Sequence, residues 1–127
     1  MEKLVFEGDK DKPVVDFNNE TGVLFLGGSS IPENVLDTYT CILNWLDEYF
    51  KDPRPNTKIE FYFEYLNTAS SHMIMRIIEK TNVFKESCDK LIINWYYQKD
   101  DIDMRDFGYE LLDVSDCPIN ISAKENE

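Results

Sequence analysis

The stretch that most restricts what this chain can fold into is Lys58-Ile59-Glu60-Phe61-Tyr62-Phe63-Glu64-Tyr65-Leu66. Ile59, Phe61, Phe63 and Tyr65 recur at every second position. A period of two places them on one face of a β-strand and leaves Glu60, Tyr62 and Glu64 on the other. Aromatic and β-branched residues at this density suit a pleated, packed surface. The chain must build a sheet around this segment.

On either side the apolar period changes to that of a helix. Val35, Leu36, Tyr39, Ile42, Leu43, Leu46, Tyr49 and Phe50 form one helical stripe, with Asp37, Asn44, Asp47 and Glu48 off it and Trp45 at its margin. Ser30 followed by Glu33, with Pro32 between, has capping-box spacing and predicts that this helix starts at Ser30. Pro53 and Pro55 end it. After Asn67-Thr68, the residues Ser70, Met73, Ile74, Ile77, Ile78, Thr81 and Phe84 form a second stripe, with His72, Arg76 and Glu79 pointing outward.

The remaining segments complete an alternating order. Val14-Val15-Asp16-Phe17 and Val23-Leu24-Phe25-Leu26 flank the turn residues Asn18 to Gly22 and read as a β-hairpin, preceded by a short strand at Leu4-Val5-Phe6. Gly27-Gly28-Ser29-Ser30 is expected to end the second arm. Leu91 to Tyr96 reads as a strand. Asp100, Asp101 and Asp103 open a third helix, where acids suit the positive end of the dipole, and Met104, Phe107 and Leu111 are its buried side. Pro118 to Ile121 reads as an edge strand. The expected fold class is α/β: one compact domain over residues 1–127, an N-terminal hairpin, then α-β-α-β-α around a mostly parallel mixed sheet. Its core is expected within about 13–122, with 123–127 a frayed tail.

Composition matters for what it excludes. A net charge of −12 over 127 residues repels phosphate backbones and anionic lipid surfaces, which argues against nucleic-acid and membrane partners. It fits a basic protein partner, and equally a charge that only maintains solubility. Cys41, Cys88 and Cys117 have wide spacings without a CxxC or Cys/His ligand pattern, and read as reduced, buried thiols of a cytoplasmic protein. The N-terminus lacks the apolar stretch of a secretory signal, and no apolar run is long enough for a membrane span. Nothing demands an oligomer, and a monomer is expected.

In sheets of this kind functional loops gather beyond the carboxyl ends of the parallel strands. Topology brings three segments to that edge: Gly27 to Ser30, Leu66 to Ser71, and Tyr97 to Asp101. Thr68, at a strand-to-helix passage, reads as an ordinary N-cap. The same position suits a phosphate, which would meet free N–H groups and a positive dipole beside Asp100 and Asp101. Ser71 is a second acceptor candidate, and Ser70 faces inward. The cluster Asp100, Asp101 and Asp103 is open to a divalent-cation reading and to a helix-capping one; the EF-hand spacing is absent. His72 has no nucleophile pattern around it. Gly27-Gly28 lacks both the lysine of a phosphate loop and the third glycine of a dinucleotide fingerprint. No cofactor is expected. Trp45, Tyr96 and Tyr97 read either as core-edge aromatics or as partner anchors.

Four blocks together resemble the SiaC-type regulatory phosphoproteins of bacteria. They are Val15-Asp16-Phe17 with Glu20-Thr21-Gly22-Val23-Leu24, Ser30-Ile31-Pro32-Glu33-Asn34, Glu64-Tyr65-Leu66-Asn67-Thr68-Ala69-Ser70-Ser71, and Asn94-Trp95-Tyr96-Tyr97 with Asp100-Asp101 and Asp103-Met104. They span about 13–121 in the family's order. The resemblance implies a fold like that of STAS-domain anti-sigma-factor antagonists and a non-enzymatic partner-switching role. It implies phosphorylation of Thr68 by a SiaB-type protein kinase and removal of the phosphate by a PP2C-like phosphatase. It implies that the unphosphorylated form binds a diguanylate cyclase and promotes its activity, so that cyclic-di-GMP and biofilm output follow. Ala69 stands where family members often have serine, and His72 where another polar or basic residue is expected. The expected docking residues are Asn67, Thr68, Ser71, Tyr97, Asp100, Asp101 and Trp45. The competing readings are a constitutive acidic binding subunit with another effector, and a small metal-dependent enzyme.

Overall fold

Parallel strands cannot be joined by a tight turn, so each crossover in this chain carries a helix. The computed structural model describes residues 1–125. Its elements are β1 (Leu4–Phe6), β2 (Val14–Asn18), β3 (Val23–Ser30), α1 (Val35–Tyr49), β4 (Asn56–Leu66), α2 (Thr68–Phe84), a short 3₁₀ turn (Lys85–Ser87), β5 (Lys90–Gln98), α3 (Ile102–Val114) and β6 (Ile119–Lys124). They form one six-stranded sheet in the order β1-β2-β3-β4-β5-β6. The β1–β2 and β2–β3 pairs are antiparallel, and the rest are parallel. The expected α/β architecture is therefore the observed one.

Three right-handed crossovers that always step in the same direction put all three helices on one face of the sheet. The core lies between that face and the helices. Trp95, Phe61, Phe63, Ile59 and Ile93 from the sheet meet Tyr39, Ile42, Leu46, Ile74, Ile77 and Leu111 from the helices, all buried. Burying one such side chain contributes about 1.5–3 kcal/mol. The Trp95 indole lies 5.4 Å from Phe61 and 5.5 Å from Phe107, and its N–H donates to the Met104 carbonyl at 3.0 Å. That bond satisfies the one polar atom of the largest core side chain.

Several sequence expectations are corrected. Gly27 and Gly28 do not end β3; the strand continues through Ser30. Gly27 is glycine because a Cβ there would run into the Tyr62 carbonyl on β4. Gly28 has φ +77° at the point where the β3–β4 pairing changes register. Gly28 pairs with Phe63 and Ser29 with Tyr65, so the ladder steps over Glu64. This β-bulge breaks the alternation. Tyr65, expected on the same face as the buried Ile59, Phe61 and Phe63, is 63% exposed.

The first helix starts later than Ser30. Asn34 is its N-cap, and its side chain accepts from the N–H groups of Leu36 and Asp37. Leu36, in the first turn after this cap, is exposed and not part of the buried stripe. The third strand of the parallel set is longer than expected, running Lys90–Gln98. The tail expected to fray from residue 123 does not: Ala123 pairs with Tyr97 and Lys124 with Gln98, because β5 offers an edge that long. Residues 126–127 of that expected tail lie outside the described residues. Cys88 and Cys117 are buried thiols, whereas Cys41 is exposed on α1.

Replacing Gly27 with alanine should force the two central strands apart. A loss of about 2 kcal/mol or more is expected, read as a lowered midpoint in urea unfolding.

Candidate functional site

The carboxyl edge of the sheet is organised around the start of α2. The Asn67 N–H donates to the Ser30 carbonyl at 3.1 Å, which ties this turn to the end of β3. Asn67, not Thr68, is the N-cap: its side-chain oxygen accepts from the Ser70 N–H at 2.8 Å. Thr68 is thereby displaced to the first helical position, where it is exposed. The helical hydrogen bond from the Ser71 N–H and a second one from the Ser71 hydroxyl both end on the Asn67 carbonyl, at 2.9 and 3.1 Å.

Beneath this turn lies a chain of buried hydroxyls. Ser30 Oγ donates to Ser70 Oγ at 2.9 Å and lies 2.7 Å from the Tyr39 hydroxyl. Since Ser30 spends its proton on Ser70, Tyr39 is the donor to Ser30. All three residues are fully buried. Burial pushes the Tyr39 phenol up to about 12, and the hydrogen bonds to Ser30 and Ser70 only partly oppose it. Ser70 is inward, as its place on the helix wheel predicts. Ser30, read from sequence as a helix start, is instead the buried joint between β3, α1 and α2.

The acidic loop sits next to this turn. Asp101 is the N-cap of α3 and accepts from the Met104 N–H at 3.1 Å. Between α2 and α3 a hollow of about 390 Å³ is lined by Leu66, Ser71, Asp101, Asp103, Asp106 and Glu110, among others. A neighbouring groove of about 490 Å³ is lined by Glu64, Tyr65, Gln98, Asp100 and Asp101. Asn67, Thr68, Ser71, Asp100 and Asp101 thus share one edge. Among the described residues, no three His, Cys, Asp or Glu side chains are grouped so as to hold a metal ion. A larger hollow, about 750 Å³, lies elsewhere, between the β1–β2 loop (Glu7, Asp9, Asp11) and the start of α1 (Glu33, Asp37).

The other two expected docking residues differ in place. Tyr97 is the penultimate residue of β5, at the carboxyl end beside Gln98, half-buried and packed on the core. Trp45 stands apart: its indole N–H donates to the Glu2 carbonyl at 2.8 Å, and its ring stacks on Tyr49 at 5.2 Å and meets Phe17 at 5.3 Å. Phe17 lies across Leu24, which pairs with Ile59, and from there β4 runs on to Leu66, about 20 Å of strand. Trp45 therefore fastens the N-terminal segment to α1.

This fold and these blocks decide the family. The sequence pattern of the SiaC family regulatory phosphoproteins matches residues 6–124. The chain belongs to that family. It is 21% identical over 125 residues to an uncharacterized protein of Pseudomonas aeruginosa (strain UCBPP-PA14), covering 98% of this chain and 99% of that one. The structure of apo-SiaC from Pseudomonas aeruginosa superposes with a TM-score of 0.86 at 21% identity, over 96% of this chain and 99% of that one. A third relative is the chain from the crystal structure of the diguanylate cyclase SiaD in complex with its activator SiaC, also from Pseudomonas aeruginosa. It has a TM-score of 0.87 at 21% identity, over 95% and 99% of the two chains. At that identity the solved structures establish the shared fold, and the family membership makes this chain a regulatory protein. Among the described residues no helix is long and apolar enough to cross a membrane.

Sequence reasoning missed two residues of this edge. The alternation puts Tyr65 on the face of Phe63, but after Phe63 the next core-packed residue is Leu66, three positions on instead of two. The capping-box pattern at Ser30 is satisfied equally by a strand end followed by a loop.

Ser70→Ala should strand the Ser30 hydroxyl without its acceptor and cost about 1–3 kcal/mol, whereas Asn67→Ala should cost about 1 kcal/mol through the lost cap; urea unfolding measures both. Tyr39 gives a pH dependence. Its ordinary value is near 10 and its folded value about 12. The folded state therefore holds the phenol's proton more tightly, so the stability it contributes is complete below about pH 10 and is lost as pH rises towards 12. Thermal melts from pH 9 upward should show this fall, and it should flatten in Tyr39→Phe.

Proposed function

We propose that this chain is a non-enzymatic, phosphorylation-controlled partner switch of the cytoplasm, and that Thr68 is its phosphoacceptor. The observation that carries the reading is the placement of Thr68. It is the exposed first residue of α2, on an edge lined by Asp100, Asp101 and Asp103, in a chain that belongs to a family of regulatory phosphoproteins. A kinase can reach its hydroxyl. Ser71, the second candidate, is half-buried and already donates its hydroxyl to Asn67.

The effector proposed is a diguanylate cyclase, bound and activated by the unphosphorylated form; the relative SiaC is the activator of SiaD in their complex. A SiaB-type kinase and a PP2C-like phosphatase are the proposed writers of the switch. The physics is local. Phosphate brings nearly two negative charges, a bulky hydration shell and three acceptor oxygens to a surface otherwise presenting one small hydroxyl. The first turn of α2 tolerates it, since free N–H groups and the positive end of the dipole face it. A partner that covers Thr68 must strip that hydrated dianion or stay off. The buried hydroxyls below anchor the turn in place, so the change is one of surface charge and shape.

Phosphoryl mass should appear on Thr68 in protein taken from its own cells. With the cyclase of the same cells, Thr68→Ala should retain binding and activation, and Thr68→Glu should weaken binding by roughly tenfold or more, equivalent to about 1.4 kcal/mol. Equal binding by both variants in calorimetry, with Thr68 unmodified in cells, would sink the switch.

A further inference from the structure

The bulge at Glu64 leaves a tyrosine in water at the edge where the partner is proposed to dock. Had the strand kept its alternation, Tyr65 would follow Ile59, Phe61 and Phe63 into the core. Instead the ladder steps over Glu64, and Tyr65 is 63% exposed three residues before Thr68. Bulges commonly re-aim a side chain next to a functional site. An exposed, stiff aromatic is also the residue type that most often anchors a protein interface.

The surroundings specify what would meet it. Tyr65 lines one groove with Glu64, Gln98, Asp100 and Asp101. Among the described residues, none of these three carboxylates is in an ion pair; the nearby Lys99 is directed to Glu125. The same sheet shows how its tyrosines hold a cation: Lys124 Nζ lies over the rings of Tyr96 and Tyr62, at 4.2 and 5.2 Å. Tyr65 has no such cation among the described residues. An aromatic face bordered by unpaired carboxylates is complementary to a guanidinium, which is planar enough to stack on a ring while its N–H groups fork to carboxylate oxygens. A lysine would supply the charge without that double fit.

We propose that Tyr65, with Glu64, Asp100 and Asp101, forms the receiving site for an arginine side chain of the protein partner that reads Thr68. The proposal rests on the docking edge inferred above and adds the chemistry of the contact.

The probe is an acetylated, amidated tetra-arginine peptide, titrated at low salt into the full ¹⁵N-labelled chain, with a tetra-lysine peptide alongside. The expected amide shifts centre on Tyr65, Gln98, Asp100 and Asp101, with tetra-lysine binding more weakly. Tyr65→Phe should keep the affinity, and Tyr65→Leu, similar in bulk but without a ring, should lose roughly fivefold or more. Tyr65 is largely outside the core, so both variants should melt like the parent, and the melts are run to verify it. Shifts spread equally to Glu33 and Asp37, or unchanged affinity in Tyr65→Leu, would reduce the effect to general attraction by a polyanion and overturn the proposal. Failure of the two readings is separable. If Thr68→Glu abolishes cyclase binding while Tyr65→Leu leaves peptide binding intact, the arginine site alone falls. If Tyr65→Leu loses the peptide while Thr68→Glu leaves cyclase binding unchanged, the arginine site stands and the switch falls.

Discussion

Everything at the functional edge hangs on Ser30. Its carbonyl receives the Asn67 N–H, and its hydroxyl links Tyr39 of α1 to Ser70 of α2, with Ser30, Tyr39 and Ser70 all fully buried. In such an interior, each of these groups would be costly if left unpaired, so the end of β3, the body of α1 and the first turn of α2 can only be placed together. This small polar network inside an otherwise apolar core is what converts a flexible strand-to-helix passage into a platform. Thr68 is presented from that platform as the next residue after the cap.

The rest of the sheet complements this arrangement. Three same-sense crossovers leave one face for the helices and one for solvent, and they deliver the starts of all three helices to a single edge. The chain's acidic surplus is well represented there: Glu64, Asp100, Asp101, Asp103, Asp106 and Glu110 line the two hollows that flank α2's first turn. Asp101 has a structural duty as a cap, but its neighbours do not share it. The lone histidine, His72, lies exposed on α2, away from the buried stripe.

Much of this was legible from residue pattern. The alternation of residues 58–66, the two long helical stripes and the turn chemistry after Asn18 are local, repeated signals, and each corresponds to an observed element. Asn67, Thr68, Asp100 and Asp101 were placed on one edge by topology alone, because parallel strands must all end on the same side. The misreadings have a common cause. Ser30 as a cap, Gly27-Gly28 as a turn, Tyr65 on the face of Phe63 and Leu36 as stripe all depend on what the neighbouring strand or helix does at that position. A capping box, a glycine pair and an apolar residue in period are each compatible with two local structures. For Gly27-Gly28 and Tyr65 it is the β3–β4 register that discriminates, and register is a non-local property.

The sequence by itself determined the fold class, the order of elements, the buried stripes of α1 and α2, and the family, since these follow from hydrophobic periodicity and from ordered motif blocks along one chain. The tertiary structure decided which hydroxyl is buried and which is exposed, Ser30 and Ser70 lying inside and Thr68 outside. It also decided that Tyr65 faces water and that Trp45 holds the N-terminal segment against α1. For Tyr65 the physical reason is the single extra residue at Glu64. One step in the parallel ladder reverses the face of every side chain after it until the strand ends, and no count of residues within one strand reveals a slip that exists only relative to its partner.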